Sequence, residues 1–147
     1  MPYKVKDILL AKEGALKIEW AENQMPVLMK IMEEFKASKP FKGIKIGCAL
    51  HVTKETGVLV KTLAAGGADV ALTAANPLST QDDVAASLAK DGISVYAWAG
   101  ENKDEYYENL NKILDFKPNI TIDDGGDLVF SLHTKRTELL PTAEQLG

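Results

Sequence analysis

Residues 44–74 read IKIGCALHVTKETGVLVKTLAAGGADVALTA, and this stretch decides the fold. Two short apolar runs, 44–50 and 69–74, have the length of buried strands. Between them, residues 54–65 carry apolar side chains at helical spacing and stop at Gly66-Gly67. Strand, helix and strand in this order form a crossover unit, which joins parallel neighbours in one sheet and is right-handed.

The same alternation continues downstream. Residues 83–90 read as a helix closed by Asp91-Gly92, 93–98 (ISVYAW) as a strand, and 104–114 as a helix. Residues 119–122 (NITI) form a fourth expected strand, and 127–140 a last helix. Upstream, the first forty residues read as helix, with Val27, Leu28, Ile31, Met32 and Phe35 at helical spacing behind Pro26. The expected fold is α/β: a three-layer, Rossmann-like domain with an open parallel sheet, preceded by N-terminal helices.

Composition narrows the function. The 147 residues are 46% apolar and 26% charged, as expected of one folded domain. No apolar run approaches the length of a membrane span, and the N-terminus has too many charges for a signal peptide. A net charge of -4 gives no reason to expect nucleic acid, which usually requires a basic face. One cysteine, Cys48, cannot form an internal disulfide, which fits a reducing, cytoplasmic setting.

In an open α/β sheet, ligands bind beyond the carboxyl ends of the strands. Three polar motifs follow the expected strands there. In HVTKET, residues 51–56, Thr53 can cap the helix, with Glu55 favouring its positive end. Alternatively, the hydroxyls and carboxylate hold adenine, the carboxylate accepting from its exocyclic amine and disfavouring hypoxanthine. In NPLSTQDD, residues 76–83, Ser79 or Thr80 before the acids suits a helix cap, whereas Asn76 and Gln81 are not explained that way.

In IDDGGDL, residues 122–128, Gly125 and Gly126 make a turn. The carboxylates beside them can take a ribose hydroxyl or move a proton, with the His51 imidazole on a neighbouring strand end as a second proton-handling group. Calcium-loop spacing is absent, and two histidines without ligand spacing define no metal site. His133-Thr134-Lys135 reads as a solvated helix face. The chain has neither G-x-G-x-x-G nor a P-loop, so it offers no phosphate cradle.

Taken in order, LHVTKET, NPLSTQDD, DDGGDL and HTK, with AENQMP and SKPFKG before them, resemble S-adenosyl-L-homocysteine hydrolase over nearly the whole chain. The resemblance implies a substrate domain joined to a separate NAD-binding domain in a homotetramer. The family's reaction is reversible cleavage of S-adenosylhomocysteine to adenosine and homocysteine, through oxidation, elimination, water addition and reduction. It implies that Thr53 and Glu55 read adenine, that Leu50 and Thr56 line its pocket, and that His51 and Asp124 handle protons. Asn76, Ser79, Gln81 and Asp82 would shape the substrate edge and the closing interface, while Asp123 and Asp127 would be structural. Ala75 and Asp83 stand where the family often has Cys and His.

The family's Glu-Glu-Thr-Thr-Thr run, its later catalytic residues and its glycine-rich NAD domain are not among these residues. Residues 1–147 are therefore expected to be the N-terminal substrate-binding portion, inactive alone, and none of them is expected to bind NAD or a metal. The competing expectation is a stand-alone nucleoside-binding or regulatory module.

Overall fold

The structure, a computed structural model, describes residues 2–141. Five strands form one sheet: β1 (Lys4–Val5), β2 (Lys45–Leu50), β3 (Asp69–Ala74), β4 (Ser94–Ala97) and β5 (Ile120–Asp123). Every pairing is parallel and the order is β1-β4-β3-β2-β5. The helices are α1 (Ala11–Gln24), α2 (Pro26–Ser38), α3 (Lys54–Ala65), α4 (Asp82–Lys90), α5 (Lys103–Asp115) and α6 (Asp127–Thr134). The expected α/β architecture, with helices ahead of a parallel sheet, is what forms.

Side-chain alternation along the strands explains the two helical layers. Ile46, Cys48 and Leu50 of β2 and Val70, Leu72 and Ala74 of β3 join one core beneath α1 to α4. Ala49 and Ala71 point the other way, into a second core with Tyr106, Leu110, Ile113 and Leu114 of α5 and Leu128 of α6. A fully buried valine or leucine such as Val58 or Leu72 contributes about 1.5–3 kcal/mol of transfer free energy.

The strand order creates one place where the chain reverses. From β2 it runs to β3 and β4 toward one edge, then α5 carries it back across the sheet to β5 on the far side of β2. Right-handed crossovers in opposite directions put α3 and α4 on one face and α5 on the other. The connections leaving β2 and β5 therefore diverge, opening a crevice at their carboxyl ends.

Two expectations about the ends are corrected. The first forty residues are not all helix: Lys4 and Val5 pair with Tyr96 and Ala97 as an edge strand. A two-residue strand is too short to produce a period. The helix that follows breaks at Met25, which leaves helical geometry ahead of Pro26. The last helix stops at Thr134 rather than running to residue 140. The amides of Lys135 and Arg136 both turn back to the Ser131 carbonyl, and Arg136 ties Asp115 and Glu138 instead of extending the helix. The C-terminal stretch TAEQLG, residues 142–147, lies outside the described residues.

Candidate functional site at the carboxyl edge

Register sets the first pair of residues. Ala49 of β2 lies opposite Asp123 of β5, and the Asp124 amide donates to the Ala49 carbonyl at 3.1 Å. Asp124 and the Leu50-His51 step thus leave adjacent strands together at the crevice. Leu50 is buried, whereas His51 and Asp124 are exposed.

The three acids of the β5–α6 turn have separate partners. Asp123 accepts from the amides of Gly126, Leu128 and Val129 at 3.0, 2.8 and 3.1 Å, so it satisfies the start of α6. Asp127 accepts from the Tyr106 hydroxyl at 2.6 Å. Desolvation and that carboxylate both hold the Tyr106 phenol well above its ordinary range, so it stays a donor. Asp124 has no side-chain hydrogen bond or ion pair among the described residues. Gly126, at φ +79°, makes the turn that lets Asp123 reach forward. Asp123 and Asp127 are thus held by their own structure, and Asp124 faces outward.

Beyond β2, Thr53 occupies the N-cap position of α3 with extended backbone but makes no side-chain cap bond. The capping explanation for Thr53 is therefore not met by its hydroxyl. Glu55 lies in the first turn, exposed, with the Lys54 ammonium 3.1 Å away. Its own backbone amide and then that ammonium hold its carboxyl below the ordinary carboxylate range, so it is anionic at neutral pH. Thr56, half-buried, shares the same turn.

Beyond β3, the capping expectation for Ser79 and Thr80 also fails: α4 begins at Asp82 with Gln81 at the N-cap position and no side-chain cap bond. Ser79 is turned to His51 instead, its Oγ 2.7 Å from the ring Nδ1. The Asn76 Oδ1 accepts from the Leu78 amide at 2.8 Å and shapes that loop. Asp82 accepts from the Ala99 amide at 2.9 Å and pairs with Lys6 at 3.7 Å, tying the β3 and β4 loops together. Asp83 pairs with Lys17 of α1 at 2.6 Å.

Several features at this edge have no signal in the sequence. The buried Thr80 hydroxyl and the Gln81 Oε1 lack partners among the described residues. Gln81 also lines a cleft of about 420 Å³ with Lys17, Trp20 and Lys54. Glu101 is buried, and burial pushes its carboxyl up despite bonds from the Trp98 amide and Asn109. Burial depends on which helix packs over a loop, and no local period encodes that.

Other chemistry is easier to assess. Cys48 is fully buried and burial pushes its thiol up to about 12, which leaves no thiolate for nucleophilic work. No group of three or more His, Cys, Asp or Glu side chains among the described residues could hold a metal ion. A dinucleotide does not fit the turn that most resembles a phosphate loop. The start of α6 is already occupied by the Asp123 carboxylate and flanked by Asp124 and Asp127, which would repel a pyrophosphate. His133-Thr134-Lys135 is exposed, as a solvated face requires. No helix among the described residues is long and apolar enough to cross a membrane.

The fold and this edge define a class: a doubly wound parallel α/β domain whose ligand crevice carries a histidine, an outward carboxylate and polar loops, in a sequence with neither G-x-G-x-x-G nor a P-loop. More narrowly, the chain belongs to the S-adenosyl-L-homocysteine hydrolase family, whose model matches residues 2–145. It is 65% identical over 138 residues to an S-inosyl-L-homocysteine hydrolase of Methanocaldococcus jannaschii, covering 94% of this chain and 33% of that protein. It is 59% identical over 133 residues to an adenosylhomocysteinase of Sulfolobus acidocaldarius, covering 90% and 32%. A Pyrococcus abyssi adenosylhomocysteinase is 58% identical over 138 residues, covering 94% and 33%. The chain spans about a third of the length of the curated relatives it matches.

Proposed function

We propose that this chain is the substrate-binding part of a longer hydrolase that cleaves S-adenosylhomocysteine reversibly to adenosine and homocysteine. The observation that carries the reading is the crevice itself: His51 and Asp124, whose side chain has no partner among the described residues, leave β2 and β5 side by side where the topology reverses. The α3 opening, with Thr53, Glu55 and Thr56, lies next to them.

In this reading Leu50 and Thr56 line the base pocket while Thr53 and Glu55 read the base. His51 gives a proton to the departing homocysteine sulfur and takes one from the water that adds at C5′. Asp124 is the matching acid–base group. Asn76, Ser79, Gln81 and Asp82 form the edge that the rest of the enzyme closes against. Oxidation and reduction of the ribose depend on NAD bound in the family's other domain, and no part of that chemistry falls to these residues. The reading extends to a homotetramer in the cytoplasm, with a role in one-carbon metabolism, and to a chain that is inactive alone.

The relatives' names differ in the base, inosyl or adenosyl, at similar identities, so identity alone does not choose between them. The ionised Glu55 favours adenine, because a carboxylate accepts from an exocyclic amine and repels the carbonyl of hypoxanthine. Titration calorimetry should therefore find adenosine bound more tightly than inosine. Glu55→Gln should weaken adenosine about 10-fold or more, the scale of one charge-assisted hydrogen bond. Unchanged adenosine affinity in that variant would remove Glu55 from the pocket.

A further inference from the structure

We infer that Ser79 is a positioning residue for His51: it holds the ring with Nδ1 protonated and so leaves Nε2 as the nitrogen that gives and takes protons. The inference rests on the proposed acid–base role of His51. It goes beyond that role by assigning the tautomer and the group that sets it.

The argument begins with the 2.7 Å contact between His51 Nδ1 and Ser79 Oγ, two side chains 28 positions apart in sequence. The Ser79 hydroxyl also faces the Asn76 carbonyl at 3.5 Å. A serine hydroxyl has one proton and can accept as well as donate. If its proton is directed to the Asn76 carbonyl, its lone pairs are free to accept from Nδ1–H.

Proton counting then fixes the arrangement. A histidine that works through Nε2 alternates between an imidazolium and a neutral ring with a bare Nε2. Nδ1 carries a proton in both states and needs an acceptor throughout. Ser79 Oγ meets that need without itself gaining or losing a proton. The opposite arrangement, Ser79 donating to a bare Nδ1, would put the proton on Nε2 and leave the neutral ring no lone pair at the crevice.

The loop bearing Ser79 is built to stay in place. Before it, the Pro77 carbonyl accepts from the amides of Gly100 and Glu101 at 2.9 and 3.2 Å. The Asn76 side chain takes the Leu78 amide. After it, the Gln81 amide donates to the Val52 carbonyl at 2.9 Å, tying this loop to the one that carries His51. Ser79 thus sits between two pinned points, with His51 one residue before Val52. A hydrogen bond between loops fixed in this way orients a ring more firmly than one between free side chains.

The test is long-range 1H–15N correlation of the His51 ring in the intact 147-residue chain, at a pH where the ring is neutral. The expected result is a major Nδ1–H tautomer, against the Nε2–H preference of free imidazole. Ser79→Ala should return His51 to the Nε2–H form, and Ser79→Thr, which keeps the hydroxyl, should retain Nδ1–H. A major Nε2–H form in the unsubstituted chain overturns the inference, as does an unchanged tautomer in Ser79→Ala. The unsubstituted chain decides the matter even if the alanine variant fails to fold. Adenosine calorimetry on the same samples separates the two claims: absent nucleoside binding with an Nδ1–H ring would count against the proposed function and leave the role of Ser79 standing.

Discussion

Asp124→Asn is expected to abolish most turnover while leaving substrate binding nearly intact. The assay places this chain in the position of the matching third of the Sulfolobus acidocaldarius relative, so that the rest of that enzyme supplies what these residues lack. Asparagine keeps the shape and can still accept a hydrogen bond from a ribose hydroxyl, but it cannot take up a proton at any working pH. An acid–base group contributes about 10²–10⁴-fold to rate, so kcat should fall by that order with KM changed only a few-fold. Nothing in the fold should suffer, because the Asp124 side chain has no bond to lose among the described residues, and its backbone tie to Ala49 is kept. Equal losses in kcat/KM and affinity would assign Asp124 to binding alone. The same substitution at Asp123 should act differently, lowering stability: asparagine keeps one acceptor oxygen but sets an NH2 group where the other carboxylate oxygen took either the Gly126 amide or the pair from Leu128 and Val129.

Gly14→Ala carries the largest expected effect on stability. Gly14 faces the first turn of α4, and a Cβ added there would fall 1.8 Å from the Asp83 carbonyl oxygen and 2.8 Å from the Val84 nitrogen. Both are backbone atoms, so no rotamer change relieves the clash, and α1 has to move away from α4. Ile18 and Ala21, further along the same face of α1, are buried in the core and would be pulled out with it. Overpacking of this kind costs about 1–3 kcal/mol and more where the backbone must shift, so a loss of about 3 kcal/mol or more is expected in urea unfolding. The damage should reach the site as well, because α4 follows directly on Ser79, Thr80 and Gln81. Gly125→Ala is the matched control: its nearest neighbour would be the Asp127 carboxylate at 3.8 Å, an ordinary contact. A Gly14→Ala variant as stable as that control would contradict the close packing of α1 on α4.

The parts of this structure that could be read from sequence are those with a local period or a local stop. The runs at 44–50 and 69–74 became β2 and β3 nearly residue for residue, and Gly66-Gly67 ended α3 where expected. Lys4–Val5 could not be read, since it becomes a strand only by pairing with β4, some ninety positions away. Strand order is likewise invisible locally, although it creates the crevice.

At the site, the alternation showed which loops share the carboxyl edge, and the family resemblance implied roles for their residues. Neither could separate Asp123 from Asp124 on physical grounds. Three amide bonds to Asp123 now do so. The expected caps at Thr53 and Ser79 failed for a related reason. Capping motifs describe what a side chain does when no tertiary partner competes, and for Ser79 His51 is such a partner.

The most direct test of the central claim is amide chemical-shift mapping of the labelled chain titrated with adenosine. The account predicts saturable shifts confined to the carboxyl edge: Leu50 to Gly57, Asn76 to Asp82, and Asp123 to Gly126. Shifts centred instead on the cavity lined by Met29, Met32, Lys36 and Ala65 at the opposite ends of the helices, or no shifts at any attainable adenosine concentration, would contradict it.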